Sequence, residues 1–273
     1  MIEFKKINNV KIKPLKIPKI NVCDIRGKDY FENLFPNVLL LARKNSGKTT
    51  VLYHILKNCT NKKTKVFLFC STIYKDPSYD VILKMFKKRH IEYEAFTDIQ
   101  EGKVDHLERI VNKLKEKDEA PEEKDEDIPK KPDIKFLMFG GEEDEEKKHR
   151  EYVPKKLCPS YIFLFDDISE DLRSPSVAYL MKKNRHLGIM NLISTQSYKD
   201  ITPPAWRQID FALLYKNIEP KAIEDIKDKL NLPTPINVFE TIYEQAVSGD
   251  HSFLYIDKNK VEYRQNFCNK FEI

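Results

Sequence analysis

Ala42-Arg43-Lys44-Asn45-Ser46-Gly47-Lys48-Thr49-Thr50 stands between a continuous apolar run, Asn37–Ala42, and a segment whose Val51, Leu52, Ile55 and Leu56 recur at helical spacing. Strand, turn and helix in that order bring consecutive backbone N–H groups to a helix N-terminus, where they can surround a phosphate. The residue types suit the task. Gly47 lets the backbone approach an anion because no Cβ intervenes. Lys48 reaches the β- and γ-phosphates as a point charge, and the Thr49 hydroxyl is placed to ligate Mg2+. The pattern is G-x-x-x-x-G-K-[ST] with Ala42 at the first glycine position, acceptable where that residue keeps a negative φ. Ala42, Arg43, Lys44, Asn45, Ser46, Gly47, Lys48, Thr49 and Thr50 are all candidates for holding a nucleotide, with ATP and Mg2+ as cofactors.

A second apolar run, Ser160–Phe165, ends in Asp166 and Asp167. Ligands of open α/β sheets sit at the C-terminal ends of strands, so these carboxylates face the same crevice as the phosphate loop. Mg2+ prefers oxygen ligands and keeps several waters, which gives Asp166 the metal-holding role beside Thr49. Asp167 would orient and deprotonate the attacking water. A further strand, Met190–Thr195, ends at Gln196, which could touch the γ-phosphate or the lytic water. Lys48, Asp167 and Gln196 are thus catalytic candidates. The plainer readings are two acids capping the next helix and a glutamine on a surface loop.

Outward from these motifs, strands and helices alternate. Strands are expected at Lys65–Cys70, Ile91–Phe96, Pro159–Asp166, Gly188–Thr195 and Asp210–Lys216. Helices are expected at Lys48–Lys57, Ser78–His90, Val104–Lys115, Ser174–His186, Pro203–Gln208, Pro220–Leu230 and Ile236–Gln245, and a closing hairpin at Ser252–Ile256 and Val261–Phe267. That alternation argues for an α/β fold, a mostly parallel sheet with helices on both faces. Residues 1–34 are Lys-rich and read as an N-terminal basic arm; 35–273 read as a single domain. Lys115–Pro132 and Glu142–Glu151 are almost wholly charged or proline, so 115–151 is expected to be a solvated insertion.

With 273 residues, the chain can bury one large α/β core, and two full domains would be a tight fit. Net charge is only +5, which neither requires nor excludes nucleic acid, because a DNA-handling protein needs only a local basic strip. Five widely spaced cysteines without a C-x-x-C argue against zinc and a disulfide framework and suit a reducing compartment. The apolar runs are too short for a membrane span, and the N-terminus lacks the apolar run of a signal peptide, so a soluble intracellular protein is expected.

Taken in order, the phosphate loop, Asp166–Asp167, the run Asn184-Arg185-His186, the strand end Ser194-Thr195-Gln196 and Pro204–Asp210 (PAWRQID) resemble the FtsK–HerA superfamily of DNA-pumping ATPases. Within it, the chain looks most like the packaging ATPases of poxviruses, other large DNA viruses and virophages. The resemblance covers about residues 40–216. It implies a RecA-like P-loop core with an additional strand between the Walker A and Walker B strands, and a homo-oligomeric ring around double-stranded DNA. It also implies genome packaging into a preformed capsid, a capsid vertex protein as partner, and a place in the host cytoplasm, the viral factory or the virion. In such rings a basic residue of one subunit completes its neighbour's site; Arg207 and Arg185 are the candidates, Arg207 preferred. Lys182, Lys183 and Arg185, and the lysines of 5–19, form basic clusters for DNA phosphates or merely for solvent. Other readings stay open: an FtsK/HerA-type translocase of conjugation or segregation, a small-molecule P-loop kinase, and an assembly protein with a vestigial pocket.

Overall fold

The computed structural model describes residues 20–102, 104–119 and 156–272. Residues 1–19 of the expected arm, with its lysine cluster, and 120–151 of the expected insertion lie outside the described residues. Val22–Glu122 and Lys155–Ile273 make one compact unit. Ile20 and Asn21 are described but fall outside that unit.

The elements run β1 (Asn37–Leu41), α1 (Lys48–Cys59), β2 (Lys65–Cys70), α2 (Pro77–Arg89), β3 (Glu92–Phe96), β4 (Gln100–Glu101), β5 (Val104–Asp105) and α3 (His106–Glu119). After the insertion come β6 (Tyr161–Asp166), α4 (Pro175–Lys183), β7 (Ile189–Thr195), α5 (Pro203–Trp206), β8 (Phe211–Tyr215), α6 (Pro220–Lys229), α7 (Ile236–Ala246), β9 (Phe253–Asp257), β10 (Glu262–Gln265) and β11 (Asn269–Lys270). Nine strands form one sheet in the order β11-β10-β9-β8-β1-β7-β6-β2-β3. The six from β8 to β3 are parallel, and β9 to β11 add an antiparallel flank. This is the α/β, RecA-like arrangement. The strand that feeds the phosphate loop, β1, is separated from the strand that ends in the two acids, β6, by one additional strand, β7.

The apolar runs become central strands because both of their faces are covered. Alternate residues of each strand enter different cores. Val38, Leu40, Val66, Leu68, Ile162 and Leu164 pack with Leu52, Ile55 and Leu56 of α1 and with Ile82 and Phe86 of α2. Leu39, Leu41, Phe67, Phe69, Phe163 and Phe165 pack on the other face, beneath α3, α4, α6 and α7. Stacked rings run across that face, Phe67 on Phe163 at 4.7 Å and Phe69 on Phe165 at 5.3 Å.

Three local differences from the sequence expectation have physical causes. Residues 22–34 pack onto the α1–α2 face, where Phe31 is 2% exposed and its ring lies 5.0 Å from Phe211. The surrounding charge hides the few buried apolar residues, Ile25, Phe31 and Leu34, which have no regular period. Val104 and Asp105 precede α3 and pair with β4 across a turn in which Gly102 has φ 61. The helix expected to run to His186 stops at Lys183, and the Asn184 side chain donates to Phe35 O at 2.5 Å.

Candidate active site

Parallel pairing sets the site. Leu41 of β1 faces Thr195 of β7, and Ser194 faces Asp166 of β6. The loop after β1, the acids after β6 and Gln196 after β7 therefore emerge side by side at the C-terminal edge of the sheet.

The loop takes its shape from a few backbone choices. Ala42 is 3% exposed, has no positive φ, and donates its N–H to Thr195 O at 3.0 Å. That is why alanine serves where the pattern has glycine. Asn45 and Gly47 adopt left-handed backbone, with φ 60 and 85. Gly47 is the N-cap of α1, and among the described residues no side chain caps this helix. Its first-turn residues Lys48, Thr49 and Thr50 line the cavity, and the N–H groups of a first helical turn have no partner within the helix. A Cβ at Gly47 would also sit 3.3 Å from His251 Nδ1.

The cavity beside this loop measures about 590 Å3, within the usual range for small-molecule sites. Its walls are the loop Lys44–Thr50, Thr72, Lys75, Asp76 and Ser78 after β2, Asp167 and His251. Lys48 is only 7% exposed and bridges both acids, its Nζ 2.8 Å from Asp166 Oδ1 and 2.6 Å from Asp167 Oδ1. Burial works against its charge, but Asp166 and then Asp167 outweigh it and raise the ammonium above the usual lysine range. Burial likewise works against the Asp167 carboxylate, yet Lys48, then the Gln196 hydrogen bond and Lys44 hold it below the usual aspartate range. Gln196 Nε2 donates to Asp167 Oδ1 at 3.3 Å. Asp167 itself has a left-handed φ of 54, and its carbonyl accepts from Ser71 Oγ at 2.8 Å.

Lys48, Asp166, Asp167 and Gln196 thus converge, and Thr49 lines the same cavity. The residues fit a magnesium nucleotide on two grounds. Ser46 Oγ is buried in the loop with no hydrogen-bond partner among the described residues, and Thr49 and Asp166 offer the hard oxygen donors that Mg2+ selects.

Arg185 and Arg207 lie elsewhere. Both precede parallel strands, β7 and β8, so they sit at the N-terminal edge of the sheet, opposite the phosphate loop. Their motif runs tie that edge together. Asp210 Oδ2 accepts Asn37 N–H at 2.9 Å, Gln208 O accepts Asn37 Nδ2 at 2.8 Å, and Arg185 Nη2 stands 3.8 Å from Asp210 Oδ1. Neither arginine serves the site of its own chain.

Two residues at the site carried no sequence signal of their own. The Tyr79 hydroxyl, fully buried on α2, donates to Asp166 Oδ2 at 2.5 Å. Burial first, then the Asp166 charge, keeps this phenol protonated. Tyr79, Ile82 and Phe86 recur at helical spacing, so the tyrosine reads as core; only its place beneath β6 reveals the role. His251 lies in a polar loop between α7 and β9 and meets the phosphate loop solely through the fold.

No model of a known protein family matches the chain, and no curated protein sequence does. Solved structures do. The genome packaging NTPase B204 from Sulfolobus turreted icosahedral virus 2, in complex with AMP, aligns with a TM-score of 0.52 at 14% identity, over 86% of this chain and 98% of that one. B204, the DNA-packaging ATPase from Sulfolobus turreted icosahedral virus, aligns with a TM-score of 0.52 at 16% identity, over the same shares. At such identities the likeness is one of fold. The described helices include none long and apolar enough to cross a membrane.

Proposed function

We propose that the chain is an ATPase that hydrolyses ATP with Mg2+ at this site and uses the reaction to move double-stranded DNA into a preformed capsid. One observation carries the chemistry: Lys48, Asp166, Asp167 and Gln196, from three adjacent strand ends, meet beside a helix N-terminus left open for phosphate. The packaging role rests on the motif order 42–49, 166–167, 184–186, 194–196 and 204–210, and on the fold shared with the B204 packaging NTPases.

In this reading the loop N–H groups of 44–50 and Lys48 hold the β- and γ-phosphates. Lys48 exchanges its two carboxylate partners for phosphate oxygens, which frees Asp167 Oδ1 for a water. Thr49 and Asp166 would hold the magnesium ion, which offsets phosphate charge when bound. Gln196 and Asp167 together orient the water toward the γ-phosphorus; its oxygen bonds to phosphorus, the bond to the β-bridging oxygen breaks, and its proton passes to Asp167. Positive charge near the γ-phosphate comes from a neighbouring subunit in a ring, with Arg207 preferred over Arg185. That assignment suits their place on the edge away from their own loop. The remaining parts of the proposal are a homo-oligomeric ring, a capsid vertex protein as partner, and work in the host cytoplasm, viral factory or virion.

The test is ATP turnover with and without long duplex DNA, read beside the mass of the assembly. Turnover stimulated by duplex in an oligomer is expected. Turnover indifferent to duplex but dependent on a small phosphate acceptor would point to a kinase instead.

A further inference from the structure

A second cavity, of about 210 Å3, opens on the other side of the phosphate loop. Its walls come from the loops that follow β1, β7 and β8, three neighbours in the sheet. Arg43, Lys199 and Lys216 line it against a single acid, Glu219. The first turn of α6 also reaches it at Ala222; Glu219 is the N-cap residue of that helix, its side chain makes no cap hydrogen bond, and Pro220 after it has no N–H. Three cations against one acid around one concave space leave an excess of two positive charges, which favours a compact anion of double charge.

The walls are held in place without a ligand. Tyr198 OH donates to Asp225 Oδ2 at 2.5 Å, tying the β7 loop to α6. Tyr243 OH donates to Tyr215 O at 2.8 Å and accepts from Ile218 N–H at 3.1 Å, tying the β8 loop to α7. A preformed site loses little order on binding.

Gln196 belongs to both regions. It lines this cavity, and its amide reaches Asp167 Oδ1 at 3.3 Å on the side of the phosphate loop. One side chain therefore links the carboxylate that orients water to a basic recess. We infer that the recess binds a phosphate dianion and receives the inorganic phosphate that leaves the γ-position after hydrolysis. The inference rests on the hydrolysis reading and adds to it a route: product phosphate passes Gln196 into the field of Arg43, Lys199 and Lys216 while ADP still holds the loop.

The experiment titrates inorganic phosphate calorimetrically into the full chain preloaded with ADP and magnesium, so that the loop is occupied. Wild type binds phosphate. The pair Lys199→Glu and Lys216→Glu, two exposed residues, weakens phosphate binding by about tenfold or more while ADP affinity stays within about twofold. The milder pair Lys199→Gln and Lys216→Gln weakens it in the same direction, which guards against misfolding of the charge-reversed protein. Phosphate affinity unchanged in both pairs, with ATP turnover present, overturns the cavity assignment and leaves hydrolysis standing. Phosphate binding lost in both pairs, in a protein without ATP turnover, keeps the anion site and overturns its role in product release. If a short duplex, and not inorganic phosphate, loses affinity in these variants, the recess takes a backbone phosphate and the product assignment falls.

Discussion

The Tyr79 hydroxyl and the Asp166 carboxylate are joined by a 2.5 Å hydrogen bond in the core, and the other oxygen of the same carboxylate faces Lys48 at 2.8 Å. The bond fixes which way Asp166 points. Without it, one oxygen of a carboxylate that is 1% exposed has no donor.

Tyr79→Phe should therefore destabilise the fold by about 1.5–3 kcal/mol, the range for a hydrogen bond to a charged group. It should also raise the magnesium concentration needed for turnover, because Asp166 is no longer held in one rotamer. Denaturant unfolding and a magnesium titration check the two effects. An unchanged magnesium requirement would reduce Tyr79 to a packing residue.

Lys48→Ala and Asp167→Asn should part company. Removing the ammonium leaves Asp166 buried without its cation, so Lys48→Ala should cost about 3 kcal/mol of stability as well as abolish turnover. Asp167→Asn keeps Lys48 paired with Asp166 and should leave ATP bound but unhydrolysed. Nucleotide binding and turnover, measured side by side, separate them; wild-type turnover in Lys48→Ala ends the phosphate-loop assignment.

Gly47→Ala combines a backbone at φ 85, costly for any side chain, with a Cβ placed 3.3 Å from His251 Nδ1. It should weaken ATP binding, and adding His251→Ala should restore only the steric share. His251→Ala alone should raise KM for ATP with kcat nearly unchanged. A large fall in kcat would put the imidazole at the chemical step.

Arg207→Ala should fail on its own and regain part of its turnover when mixed with Lys48→Ala subunits, which keep their arginine. Rescue requires the arginine to act across a subunit boundary. Mixed assemblies with no gain would remove Arg207 from that role.

Asp257 offers a pH test away from the site. It is 4% exposed, and burial raises its carboxyl above the usual aspartate range in spite of hydrogen bonds from Lys260 N–H and Asn259 N–H. The folded state thus holds this proton more tightly than the unfolded chain. Stability is lost as pH rises from the unfolded value near about 3.9 through the folded one, then levels off. Asp257→Asn keeps an oxygen for both N–H groups and should melt higher than wild type at pH 7 and equally at pH 3. Equal melting at both pH values would contradict the raised carboxyl.

Much of the candidate site was legible locally. A phosphate loop is a contiguous device, so Ala42–Thr50 could be read residue by residue. The β6 acids could be placed because an apolar run ending in carboxylates has few other uses in a parallel sheet. Asn184–His186 and Pro204–Asp210 were recognisable as runs, but recognition did not say where they go. The Asn184 side chain braces Phe35, and the Asp210 side chain and Gln208 carbonyl brace Asn37, at the opposite edge.

The chain's own order of residues determined the α/β class and marked the candidate nucleotide loop and its acids, because hydrophobic period and loop chemistry are properties of neighbouring residues. Tertiary structure decided the rest. Which strand lies beside which is set by how helices pack over both faces, and that placement alone brought Gln196 to Asp167, Tyr79 under Asp166, His251 against Gly47 and three scattered cations into one recess. Each of these is a contact between residues far apart in the chain, and no local pattern encodes it.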